Sequence, residues 1–319
     1  MTDDKASLAA RAAAKTHGVW LGGAREEQRD LIRARAARLH AAGSSTEGRW
    51  HQHEDLRAWS LARTDASDDE MARPPIVYLH GGAHLLGAAD DVASRRLALA
   101  TSRPVISVAY PLAPEHPHPA ALTALGHLPG LVDACLRRLP GHRGPETWDL
   151  VASSTGAMVA LGWMLRTYTG AGPIADQSAE VWPLSRHPRR LVLLSPWVDP
   201  RGRGASRGLE AEDAALQPGW LPEAAMLLHA GGTDLRDPEL SVVDGPYADV
   251  ADGSWPLTLI VSATGDRLLS DAVLLHRRLR DAGHPSRLEL WDGPGHDFVS
   301  DTELSQAEAA WTDVGAFLG

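Results

Sequence analysis

Lysine is almost missing from this chain. Its 319 residues hold 31 Lys plus Arg, but only Lys5 and Lys15 are lysines, so 29 of these basic side chains are arginines. A Schiff-base lysine would have to sit in the polar, alanine-rich opening stretch, where nothing suggests a pocket. A phosphate-cradling Gly-Lys-Ser/Thr loop is excluded, because neither lysine stands in one. Cysteine is scarcer still: Cys135 is alone, which rules out an internal disulfide and any cysteine-based zinc site. No run of about 18 apolar residues occurs, so no membrane-spanning helix is expected. The opening MTDDKASLAARAAAK lacks the apolar stretch of a secretory leader. A soluble, cytoplasmic protein with no membrane partner is the expectation. Net positive charge is also lacking. The formal charge of −10 argues against a nucleic-acid partner.

What is present suits a folded enzyme-sized chain. Hydrophobic residues make up 44% and charged residues 23%, near the globular average. A chain this long buries roughly 75% of its unfolded surface and needs no covalent staples. Residues 1–50 differ from the rest, with nine basic and six acidic side chains, so the acidity belongs to the remainder. Within them Ile32, Ala36 and Leu39 recur at helical spacing, predicting one or two amphipathic helices. Short apolar runs then begin: Pro75–His80, Pro104–Tyr110, Asp149–Ser153, Arg190–Ser195, Leu257–Ser262 and Ser286–Trp291. Most are aliphatic and unalternating, as expected of strands buried on both faces. Helical segments such as Asp271–Ala282, stopped by Gly283, lie between them. The alternation predicts an α/β fold with a mostly parallel central sheet flanked by helices. Asp199–Gly245 breaks the pattern. It is rich in Gly, Arg and Pro, with a helix expected at Pro222–His229, and reads as an insertion.

The chemistry gathers where strands end. Gly81-Gly82-Ala83 follow PIVYLH, Ser154 follows DLVAS, Asp266 follows LTLIVSATG, and His296 follows SRLELWDGPG. In a parallel sheet these ends share one edge, where ligands bind. The order Ser…Asp…His is that of α/β-hydrolases. A serine hydroxyl is a poor nucleophile at neutral pH and needs a base. His296 is the candidate base, and Asp266 the group that fixes its tautomer and stabilises its charged form. Backbone N–H groups of Gly81, Gly82, Ala83 and Thr155 form the candidate oxyanion hole. Three competitors stand beside this reading. The only literal Gly-x-Ser-x-Gly is Gly204–Gly208 around Ser206, with no buried strand before it and no helix pattern after it. Asp271 competes with Asp266, but it begins a helix and looks like a cap. Ser154 is also a natural helix cap.

Five further motifs complete a resemblance: YLHGGA at Tyr78–Ala83, VAYPLAPEHPHPAAL at Val108–Leu122, LLSPWVD at Leu193–Asp199, GDRLLSDA at Gly265–Ala272 and GHDF at Gly295–Phe298. From about residue 75 to its C-terminus the chain resembles the bacterial hormone-sensitive lipase-like (family IV) serine esterases of the α/β-hydrolase superfamily. The resemblance implies a single α/β-hydrolase domain with a helical cap built from about residues 1–50 and about 199–247. It implies no cofactor, a small ester or acyl substrate, and a monomer or homodimer. It also implies that His80 orients the oxyanion loop and that Glu115 is a buried anchor near the nucleophile. The family reads Gly-Asp-Ser-Ala-Gly-Gly where this chain has Ala152-Ser153-Ser154-Thr155-Gly156-Ala157. Ala152 meets the size requirement with some strain expected, Ser153 removes a carboxylate, and Thr155 sets a branched hydroxyl beside the oxyanion hole. Besides ester hydrolysis, the altered elbow keeps acyl transfer or a specialised biosynthetic role open. A non-catalytic binding protein is the third reading. His84, Trp197 and Trp220 are candidate pocket residues. Arg201, Arg203 and Arg207 read as a solvated loop or a greeting for an anionic substrate. His51-x-His53 and His116-x-His118 have metal-ligand spacing but no convincing third ligand, so no metal is expected.

Overall fold

Six of the expected strands form, and two unexpected ones join them. In the computed structural model, which describes residues 46–113, 115–138, 147–170, 187–208, 216 and 233–319, the strands are β1 (Thr46–His53), β2 (Leu56–Arg63), β3 (Ile76–Leu79), β4 (Val105–Ala109), β5 (Asp149–Ser153), β6 (Arg190–Leu194), β7 (Leu257–Ala263) and β8 (Ser286–Trp291). They build one sheet in the order β1-β2-β4-β3-β5-β6-β7-β8. β2 runs antiparallel to β1 and β4, and the pairs from β4 through β8 are parallel.

The helices are α1 (Asp68–Met71), α2 (Val92–Thr101), α3 (Ala120–Ala124), α4 (Leu128–Leu136), α5 (Thr155–Thr169), α6 (Leu269–Asp281) and α7 (Ser305–Leu318). Strand residues alternate between two cores. Val77, Leu79, Leu150, Ala152, Leu191 and Leu193 pack with α4, α5 and α6. Ile76, Tyr78, Val151, Val192 and Leu194 pack with α2 and α7 on the other face. Helices on both faces explain why these strands carry no polar alternation.

The hairpin β1–β2 was not legible because β1 is largely polar and Arg57, Ser60 and Arg63 interrupt the apolar residues of β2. Four of the eight β1 positions in a row are exposed, as an edge strand allows. Leu56, Ala58 and Leu61 of β2 are buried in the core, and Trp50 stands opposite Trp59 with ring centroids 5.3 Å apart. β1 begins at Thr46, so residues 46–50 belong to the sheet rather than to the cap expected there. The rest of the expected N-terminal cap segment, the helix at Pro222–His229 and Trp220 lie outside the described residues. Among the described residues, no helix is long and apolar enough to cross a membrane.

The sheet edge opposite the strand ends that carry Ser154 and Asp266 is tied by a buried ion pair. Asp149, at the start of β5, accepts from Arg103 Nη2 at 2.7 Å and Arg189 Nη2 at 2.8 Å. Arg103 also donates to the carbonyls of Pro74 and Leu318. Both side chains of the Arg103–Asp149 pair are fully buried. Removing one partner of such a pair strands the other charge, at a cost of about 3–5 kcal/mol. Asp149→Asn, which strands the fully buried Arg103 charge, is therefore expected to lower unfolding stability by that amount in urea titration. Wild-type stability would show that the pair contributes nothing net.

Candidate active site

β5 ends in a turn that only a few sequences tolerate. Ser154 has φ 50° and ψ −119°, in the left-handed half of the map although it is not glycine. Such strain persists only where the surroundings over-determine it. Here the Ser154 N–H donates to the Leu194 carbonyl at 2.9 Å, and the Ser154 carbonyl accepts from Trp197 N–H at 3.0 Å and Ala157 N–H at 3.1 Å. The next turn passes so close to β3 that a Cβ on Gly156 would lie 2.3 Å from the Leu79 carbonyl oxygen. The strain expected at Ala152 is absent. Ala152 continues β5 in register with Leu79 and Leu193, and its φ is not among the positive ones. The strained residue is the serine itself.

The three residues from distant strand ends meet. His296 Nε2 lies 3.0 Å from Ser154 Oγ, and His296 Nδ1 lies 3.2 Å and 3.3 Å from the two oxygens of Asp266. Asp266 is fully buried, in the turn after β7, and accepts the Leu268 N–H at 2.7 Å. Burial alone would raise its carboxyl. The charge and hydrogen bond of His296, with the Leu268 N–H, outweigh that and hold it below the usual carboxylate range. A residue that the strand-end reading passed over completes the support. Ser195, just past β6 with φ 44°, bonds the Asp266 carboxylate and accepts from Asp297 N–H at 3.2 Å. It sits at the same sheet edge as the others, and that position was the signal available in sequence.

The loop after β3 folds back on itself. Gly82, Ala83 and His84 have φ of 110°, 54° and 59°. Leu85 and Leu86 N–H both donate to the Gly82 carbonyl, and a Cβ on Gly82 would lie 2.3 Å from the Leu86 oxygen. His80 braces the loop. Its ring Nδ1 is 2.8 Å from the Gly81 carbonyl oxygen, it stacks on Tyr110 at 4.4 Å, and Tyr110 Oη donates to the His80 carbonyl. Thr155, fully buried, accepts the His84 N–H on Oγ1 at 3.3 Å. The hydroxyl that sets this elbow apart thus bolts the start of α5 to the loop over it.

Other candidates fall elsewhere. Ser206 Oγ donates to the Arg267 carbonyl at 2.8 Å and accepts from Ser270 N–H at 2.8 Å, which places it in a loop–helix junction. Asp271 accepts the N–H groups of Val198 and Asp199 at 3.0 Å each and pairs with Arg207 at 2.8 Å, so it anchors the segment after β6. Trp197 is fully buried, with its indole N–H on the Asp199 carbonyl and its backbone N–H on the Ser154 carbonyl. Glu115 is exposed instead of buried. It lies in a turn closed by the His116 N–H to Leu112 carbonyl bond, on the rim of a wide cleft shared with Arg57. Arg201, Arg203 and Arg207 are engaged in ion pairs, although Arg203 remains about half exposed. Arg201 and Arg203 each bridge Asp199 and Asp244, and Arg207 holds Asp271.

The histidine pairs also resolve. His51 Nε2 is 2.6 Å from Ser60 Oγ across the hairpin. His118 does acquire the neighbours missing in sequence, with Asp237 and Glu239 donor atoms within 4.8 Å of its own and of one another. Both Glu239 oxygens are taken by Arg166, which makes this cluster an ion-pair junction.

A serine on a strained strand-to-helix turn, with a buried aspartate and a histidine in chain order at the C-terminal edge of a parallel sheet, defines the class. The chain belongs to the family described as alpha/beta hydrolase fold, whose profile matches residues 76–300. It is 29% identical over 253 residues to a protein named Esterase from Acinetobacter venetianus, covering 76% of this chain and 73% of that one. It is 27% identical over 256 residues to Esterase LipU of Mycobacterium tuberculosis, covering 77% of each. A crystal structure described as a hormone-sensitive lipase from a metagenome library shares the fold with a TM-score of 0.78 at 22% identity, over 98% of this chain and 97% of that one. The family resemblance drawn from the motifs holds.

Proposed function

We propose that the protein hydrolyses carboxylic esters through an acyl-enzyme on Ser154. The observation that carries this is the continuous chain Ser154 Oγ, His296 Nε2, His296 Nδ1 and Asp266, with contacts of 3.0 and 3.2 Å. His296 takes the Ser154 proton as Oγ attacks the ester carbonyl, and the buried Asp266 carboxylate stabilises the imidazolium that forms. The tetrahedral oxyanion is held by backbone N–H groups of the Gly81–Ala83 loop and Thr155. His296 then gives its proton to the departing alkoxide, leaving the acyl group on Ser154. Water, deprotonated by the same imidazole, attacks the acyl carbon, and the acid leaves as Ser154 recovers its proton. The curated relatives named as esterases support this reading.

The test is a stopped-flow trace with p-nitrophenyl acetate. A burst of p-nitrophenol stoichiometric with enzyme, followed by slower turnover, is expected. Release no faster than from Ser154→Ala protein would exclude the proposal. The altered elbow lends acyl transfer no separate support, since the Thr155 hydroxyl is buried and bonded to the loop rather than open to an acceptor.

That hydroxyl has its own expected effect. Thr155→Val keeps the shape but leaves the His84 N–H without its partner, loosening the oxyanion loop. Losing one such bond is worth about 1–1.5 kcal/mol, or about tenfold in kcat/KM, with Thr155→Ser close to wild type. Equal rates for Val and Thr would show that the loop holds itself.

A further inference from the structure

An amide N–H is aimed by whatever holds the carbonyl of its own peptide unit. The unit is planar and trans, so its C=O and N–H point in opposite directions. Gly81 N–H shares a unit with the His80 carbonyl, Gly82 N–H with the Gly81 carbonyl, and Ala83 N–H with the Gly82 carbonyl. All of these carbonyls are held. The Gly82 carbonyl accepts from Leu85 and Leu86 N–H at 3.0 and 2.9 Å, within the loop itself. The Gly81 carbonyl oxygen lies 2.8 Å from Nδ1 of the His80 ring. The His80 carbonyl accepts from Tyr110 Oη at 2.5 Å.

Tyr110, the residue just past β4, therefore acts on the first two of these units. Its hydroxyl takes the His80 carbonyl. Its ring lies flat on the His80 ring, with 4.4 Å between centroids and 14° between planes, and so fixes the imidazole that faces the Gly81 carbonyl. The same hydroxyl bonds the Thr155 hydroxyl. A phenol has one proton, and Tyr110 gives it to His80, so Thr155 is the donor in that bond. Thr155 Oγ1 in turn accepts the His84 N–H. The donors run one way, from His84 N–H through Thr155 and Tyr110 to the His80 carbonyl. This chain begins and ends on the two residues that bracket Gly81–Ala83, and it passes through the neighbour of Ser154. Ala113, three residues past Tyr110, adds its N–H to the His84 carbonyl at 2.7 Å. His80, Tyr110 and Thr155 are all buried, where linked hydrogen bonds are stronger than in water. The loop also presses on the nucleophile: a Cβ on Gly81 would lie 2.9 Å from Ser154 Cβ. A small tilt of the loop is thus a shift at the reacting centre.

We infer that Tyr110 is a positioning residue for ester hydrolysis, setting the direction of the oxyanion-loop N–H groups through His80 and Thr155. This rests on Ser154 acting as the esterase nucleophile with that loop as its oxyanion hole.

Tyr110→Phe keeps the stacked ring and removes the hydroxyl. It is expected to lower kcat for p-nitrophenyl butyrate about tenfold with KM unchanged, as for a contact that counts only in the transition state. A trifluoromethyl ketone adds to the serine as a hemiketal whose oxyanion occupies the same hole, and its binding is expected to weaken by the same factor. Wild-type kcat and ketone affinity would overturn the inference, whatever the melting temperature does. Tyr110→Phe and Thr155→Val together are expected to cost no more than about thirtyfold in kcat, because they break one chain, whereas independent bonds would cost about a hundredfold. The full hundredfold would also overturn it. If Tyr110→Phe alone does not fold, the double variant, which removes both hydroxyls, is compared with Thr155→Val. Values of kcat within about threefold are expected, and a further tenfold fall would contradict the linkage. Rates are expressed per active site, titrated by fluorophosphonate labelling of Ser154. Normal labelling beside an overturning result removes the role of Tyr110 alone. Absence of label on Ser154 removes the esterase reading with it.

Discussion

Ser154→Ala is expected to lower kcat by at least about 10⁴-fold and to leave the fold intact. The size of the effect follows from covalent chemistry, because without Oγ there is no acyl-enzyme and only the oxyanion donors remain to polarise a bound ester. The intact fold follows from where Ser154 makes its structural bonds. Its N–H and its carbonyl, not its side chain, tie the elbow to Leu194, Trp197 and Ala157. The hydroxyl faces His296. Alanine tolerates the φ of 50° no better and no worse than serine, so the same strain remains. Thermal unfolding and steady-state kinetics on one preparation separate the two effects. A variant that keeps more than a tenth of wild-type kcat would place the nucleophile elsewhere.

Asp266→Asn is expected to cost about 10⁴-fold in kcat at neutral pH, the scale of losing the orienting carboxylate of such a triad. The Leu268 N–H at 2.7 Å needs an acceptor at Oδ1, so the amide oxygen of Asn takes that place. The amide NH₂ then faces His296 Nδ1 as a donor. The ring must put its proton on Nε2, where it can no longer accept from Ser154. Asp271→Asn is the informative comparison. Asp271 bonds the backbone of Val198 and Asp199 and pairs with Arg207, away from His296, so its loss is expected to appear as reduced stability. If the two aspartates exchanged these phenotypes in kcat and unfolding assays, Asp271 would be the triad acid.

The strands at the centre of the sheet were legible because burial on both faces leaves plain aliphatic runs, as in Asp149–Ser153. The edge strand Ser286–Trp291, with no buried residue, was legible from its alternation of polar and apolar residues. The triad was legible for a related reason. A parallel sheet brings every strand end to one edge, so position after a strand is itself a coordinate. The same rule marks Ser195, which was passed over because its role lies in bracing Asp266 and the His296 loop rather than in the reaction. The β1–β2 hairpin was hidden by its exposure, since an edge strand of Glu, Arg, His and Gln carries no apolar period. The arginines of the insertion misled in the opposite way. Charge near Gly and Pro reads as solvated loop, and only tertiary structure shows Asp199, Asp244 and Asp271 waiting for them. Glu115 shows the cost of carrying a role over by resemblance, for here it is exposed on a rim.

Covalent labelling tests the central claim most directly. The protein is treated with a fluorophosphonate, digested, and mapped by mass spectrometry, beside Ser154→Ala and Ser206→Ala proteins. A single adduct on the peptide containing Ser154, lost in Ser154→Ala and retained in Ser206→Ala, is the predicted result. An adduct on Ser206, or labelling that survives in Ser154→Ala, would contradict it.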